Sequence, residues 1–181
     1  ELDSPSDNAL DLFAGSRVAT LGDVTIETLV VEPSFGWQDG DALVSKRGGR
    51  VLDLVSISGG HVEATARRGG EVELVVVREG SLSLLGAGAC GGCPPLEIAS
   101  ITVSKEGLFT PLAPLVMVGG HDEDLVDHQV AKDLSSIVVR YNHTDHADPA
   151  RSEGNEIRLF YDGRAKRWRE ARKTTKPFPT G

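Results

Sequence analysis

Short runs that alternate apolar and polar residues, set off by glycine pairs or a Gly–Asp step, recur along the first half of this chain. Alternation with a period of two puts every second side chain on one face of an extended strand. The clearest run is Glu71 to Arg78, in which Val72, Leu74 and Val76 alternate with Glu71 and Glu73 after the turn Gly69-Gly70. Val51 to Leu54 follows Gly48-Gly49 in the same way, and Val24 to Glu27 and Ala42 to Val44 have the same character. Glu79-Gly80 predicts a tight turn into Ser81 to Leu84 as a hairpin partner. With 21 glycines and only 5% aromatics in 181 residues, the composition suits short strands and turns better than a large aromatic core.

One helix is expected among these strands, His61 to Arg68, stopped by Gly69-Gly70. From Gly86 the character changes. Residues 87–95 are rich in Gly, Cys and Pro and read as a linker. Beyond it, Ile98 to Val103, Pro114 to Val118, Ile137 to Tyr141 and Ile157 to Tyr161 read as strands, with a polar loop from Asn142 to Asn155. Asp122 to Leu134 reads as a helix with Leu125, Val126, Gln129, Val130 and Leu134 roughly on one side. The expected organisation is an extension (1–15), a compact unit (16–86), the linker, a β-rich region (96–162) and a basic tail (163–181). The fold class is mainly β, of the α+β type.

The charge is unevenly spread. Net charge is −8, yet residues 164–176 hold seven basic side chains against Glu170 alone. The acidic body repels phosphate backbones, so no nucleic-acid partner is expected. The tail reads either as a solvated terminus or as a docking point for an acidic protein or membrane surface. No apolar run approaches the ~20 residues that a helix needs to cross a bilayer. The chain starts at Glu1 rather than Met, which points to a removed targeting segment or upstream domain, and so to an organelle lumen or exported compartment.

Cys90-Gly91-Gly92-Cys93 is half of a zinc site, and the prolines that follow disfavour the helix a redox pair needs. A local disulfide, or two free thiols, fits the linker better. The groups His121, Asp122, Asp124, His128 and His143, Asp145, His146, Asp148 offer nitrogen and oxygen ligands if they meet in space; otherwise they are polar loop residues. Asn142-His143-Thr144 is a glycosylation sequon, and Trp37 and Trp168 read as core or interface anchors. No nucleophile elbow, phosphate-binding loop or His-Glu-x-x-His occurs, and no cofactor is implied.

The order of motifs over residues 16–86 resembles the PDZ family. Gly36-Trp37-Gln38-Asp39-Gly40-Asp41 is similar to its Gly-Leu-x-x-Gly-Asp turn, Gly48/Gly49 with Val51 to its Gly-x-x-Val turn, and Gly70 to Gly80 to its closing strand. The resemblance implies a small, partly open β-barrel that binds a partner's C-terminus as an added strand. By position, Val24 to Val31, including Ile26, becomes the edge strand, and Leu21-Gly22-Asp23 the loop that receives the carboxylate. His61 and Ala64 become the helix opening that reads a Ser or Thr. Two departures are visible. Asp23 repels a bound carboxylate, and the helix is about a turn short. The expected function is a non-catalytic protein–protein interaction or scaffold module docking into a larger assembly, through a partner's C-terminal peptide or an exposed strand edge. The alternatives are a metal-dependent or redox enzyme, and a regulatory domain of a protease-type protein.

Overall fold

A computed structural model describes residues 16–29, 42–57, 60–79, 96–119 and 122–179. They form twelve strands in three antiparallel sheets. The first sheet is β1 (Arg17–Leu21), β2 (Val24–Leu29), β3 (Ala42–Arg47) and β4 (Arg50–Ser56). The second is β5 (His61–Arg68), β6 (Glu71–Glu79), β7 (Leu96–Val103) and β8 (Ala113–Val118). The third is β9 (Glu123–Val130), β10 (Ser136–His143), β11 (Glu153–Asp162) and β12 (Arg167–Thr175). Each sheet is a meander in chain order. The only helical element among the described residues is the short 3₁₀ turn Pro149–Arg151, capped by Asp148.

Both expected helices are strands. His61 to Arg68 is β5, paired with β6 from His61↔Val77 to Arg68↔Glu71. Gly69 and Gly70 have φ of +60° and +95°, and they close a two-residue hairpin rather than a helix. Asp122 to Leu134 is mostly β9, followed by a turn in which Leu134 takes φ +53°. The expected unit 16–86 is not a closed barrel: its strands are divided between two open sheets, and β6 pairs with β7 across residues 87–95. That linker, with Cys90 and Cys93, lies outside the described residues, as do His121 and the expected hairpin partner Ser81 to Leu84.

The second sheet is shared by two cores, and β6 shows how. Val72, Leu74 and Val76 pack with Ile26, Leu43, Ala99 and Ile101, between the first and second sheets. Val75 and Val77 pack with Ile98, Ile137, Val139 and Leu159, between the second and third. A strand buried on both faces reads as a continuous apolar run, which β6 is from Leu74 to Val77. Each fully buried Leu or Ile here contributes roughly 1.5–3 kcal/mol. The β7–β8 connection crosses to the first sheet, where Phe109 N donates to Asp53 Oδ2 at 2.8 Å and the Ser45 hydroxyl to Gly107 O. Arg67 on β5 donates to Thr20 O on β1 at 3.0 Å.

Candidate functional site: a polar cleft beside a cationic edge strand

The residues expected to bind a peptide fall in two different sheets. Leu21 ends β1, and Gly22, at φ +61°, makes with Asp23 the hairpin turn into β2. Asp23 Oδ2 lies 2.9 Å from Arg47 Nε, a solvent-exposed pair across the β2–β3 ladder. Val24 and Ile26 are fully buried on β2. That strand pairs with β1 on one side and β3 on the other, so the expected edge, Val24 to Val31, is an interior strand as far as it is described. His61 is exposed on β5, with Nε2 2.9 Å from Glu63 Oε2, and Ala64 is buried between the second and third sheets. Among the described residues no helix stands beside β2 to form the expected groove.

The two histidine groups meet only through His146 and Asp122 among the described residues. His128 faces the second sheet, Nδ1 3.3 Å from Glu79 Oε1, while His146 Nε2 lies 3.4 Å from Asp122 Oδ1. Among the described residues no three His, Cys, Asp or Glu converge as metal ligands. The sequon asparagine is buried: Asn142 Nδ2 donates to Phe178 O at 3.0 Å, and Phe178 N donates to Asn142 Oδ1 at 2.8 Å.

Period-two logic locates a different feature. Along the β7 face toward the third sheet, Leu96 and Ile98 give way to Ser100 and Thr102; along β6, Val77 and Val75 give way to Glu73 and Glu71. The apolar seam between the sheets therefore ends partway. A cleft of about 720 Å³ opens there, lined also by Leu115, Tyr161, Lys166, Arg167 and Trp168. At its base Arg68 pairs with Glu73 and donates to Leu134 O at 2.5 Å. Its guanidinium carbon stands 3.4 Å from the Tyr161 ring centroid, a cation–π contact. Trp168 meets Tyr161 edge-on at 5.7 Å, and its Nε1 donates to Glu73 Oε1 at 2.7 Å. The polar groups of the base thus satisfy one another.

Those of the rim do not. Among the described residues, neither Lys166 nor Arg167 has an ion-pair partner, and Arg67 reaches only the Thr20 carbonyl. The turn that carries Lys166 is fixed by Asp162, whose Oδ1 accepts from Arg164 N and Ala165 N at 3.0 Å each and whose Oδ2 pairs with Arg169 at 2.6 Å. The backbone donations from Ala165 and Arg164, with the side-chain donation from Arg169, hold the Asp162 carboxyl below the usual carboxylate range. Lys166 takes φ +51°, which costs a non-glycine residue roughly 1–2 kcal/mol.

β12 continues from this rim as an edge of the third sheet. Among the described residues it pairs with β11 alone, from Gly154↔Thr175 to Asp162↔Arg167. It carries Arg167, Arg169, Arg172 and Lys173 against Glu170, which binds Arg172. The tail expected to be a solvated end or a docking point is therefore largely an ordered strand. Of the cleft residues, sequence reasoning singled out Trp168 as an anchor and Lys166 and Arg167 as part of the basic tail. The available signal for the others was the polar residue at a core-phase position in β6 and β7. No family model, curated protein or solved structure matches this chain.

Proposed function

We propose that the chain is a non-catalytic protein–protein interaction module, docking into a larger assembly by taking an extended acidic segment of a partner as a strand added to β12. The reading keeps strand addition, the mode implied by the PDZ resemblance, and moves it from Val24 to Val31 to a different strand. The observation that carries it is a nine-residue edge strand with four cations and one anion, in a chain of net charge −8. An open edge offers unpaired N–H and C=O groups to any extended chain. The cations select among them. A second copy of β12 is repelled, whereas an acidic strand is attracted, so one feature resists self-association and specifies the partner.

The test is titration with a synthetic peptide of alternating Glu and Val, against its Lys–Val counterpart and a backbone N-methylated acidic form. Only the unmodified acidic peptide is expected to bind. Arg169→Glu with Lys173→Glu should weaken it by about tenfold or more, and added salt should weaken it further. Equal binding of the Lys–Val peptide, indifference to N-methylation, or binding only to vesicles of anionic lipid would remove the proposal.

A further inference from the structure

We infer that the cleft between the second and third sheets is a binding site for a small organic dianion, distinct from strand addition along β12. Three observations converge on it. The first is polar substitution within a core. Ser100, Thr102, Glu71 and Glu73 occupy the inward phase of β7 and β6, where apolar residues would have continued the seam. Sealing that end with larger apolar side chains would favour stability, so a polar void there has the signature of a binding site. Its volume, about 720 Å³, suits a small molecule.

The second is charge. Glu73 is already matched by Arg68 and the Trp168 indole. That leaves Glu71 opposed by Lys166 and Arg167 around the opening, an excess of cations in an acidic protein, while Arg67 turns its guanidinium to Thr20 O on the first sheet. An anion entering here meets donors whose charge is not already neutralised by carboxylates, and the hydroxyls of Ser100 and Thr102 supply further hydrogen bonds. The third is preorganisation. Lys166 is held in a left-handed backbone conformation by a turn that Asp162 ties to two backbone amides. Strain retained in this way, at the mouth of a cleft, fits a residue fixed for contact rather than left to solvent. Trp168, Tyr161 and Leu115 provide an apolar wall, so the ligand joins a flat or apolar body to its charged groups.

The test uses phenyl phosphate and phthalate, which share this chemistry but differ in anionic group, with benzylammonium as the cationic control. Calorimetric titration of the unaltered chain should give saturable binding of at least one anion with Kd below about 1 mM, and none for the control. Which anion binds more tightly assigns the site to phosphate or to carboxylate ligands. Lys166→Glu should weaken binding about tenfold or more, whereas Lys173→Glu, on β12 outside the lining, should change it less than about twofold. Trp168 fluorescence should follow the same isotherm. Absence of saturable heat for both anions, an equal response to benzylammonium, or unchanged affinity in folded Lys166→Glu protein would overturn the assignment. Such a failure leaves strand addition standing, because that reading is tested by peptide binding and by variants at Arg169 and Lys173.

Discussion

Glu156 sits on the face of the third sheet turned away from the core, yet is only 7% exposed, because two arginines cover it. Arg158 Nε and Arg140 Nε donate to its two oxygens at 2.6 and 2.8 Å, and they hold its carboxyl below the usual range. Arg140, which also binds Asp127, is correspondingly pushed up. A carboxyl whose pKa is lowered by folding adds stability that is complete above its unfolded value and is lost as pH falls through the folded value. The chain should therefore lose stability on acidification below about pH 4.5. In Glu156→Gln that acid-induced loss should shrink, at the expense of stability at neutral pH. Urea unfolding of both proteins at neutral and acidic pH checks this; parallel pH slopes would contradict it. Leu134 shows a different residue-level balance. Its left-handed backbone is unfavourable, and its side chain, fully buried in the second core, offsets that cost.

At the scale of the element, the tail after β12 is fastened to Asn142 through Phe178. Residues 176–178 cross back over β11, where Gly154 lets the chain approach: a Cβ there would lie 2.5 Å from Lys176 O and 2.8 Å from the Thr175 hydroxyl. Gly154→Ala must push this backbone away and break the paired hydrogen bonds between Asn142 and Phe178. The expected cost is about 1–3 kcal/mol, with loss of hydrogen-exchange protection at the Phe178 amide. Unchanged protection would show that the tail is held otherwise. The strands themselves were mostly readable. Glu71 to Arg78, Ile98 to Val103 and Ile137 to Tyr141 keep their alternation or apolar run, and each lies within a strand. The two misread elements share a cause, the β-bulge. In β9, Tyr141 pairs with Leu125 and Arg140 with Asp127, so Val126 is the extra residue. The core-facing positions become 125, 128 and 130, a spacing that imitates a helical stripe. In β5 the bulge at Glu63 sends Val62 to one core and Ala64 to the other. The glycine pair after it uses positive φ, which suits a hairpin as well as a helix stop.

For the whole molecule, the decisive arrangement is three meanders stacked so that the middle one has no free apolar face. Successive residues of β6 enter different cores, which couples the sheets mechanically. Leu74→Ala, in the first core, should therefore lower the unfolding free energy reported by Trp168, beside the second, by about 2–5 kcal/mol. Fluorescence in a Trp37→Phe background reads this; a Trp168 transition left in place would mean that the sheets unfold separately. Alternation and glycine placement, both local properties of the chain, were enough to determine a β-rich protein with glycine turns leading into the strands at Val51 and Val72. Which strands share a sheet, which edge stays open and which polar residues meet were decided only by tertiary structure. Pairing joins residues far apart along the chain, as Trp168 to Glu73, and a single bulge reverses which core a side chain enters.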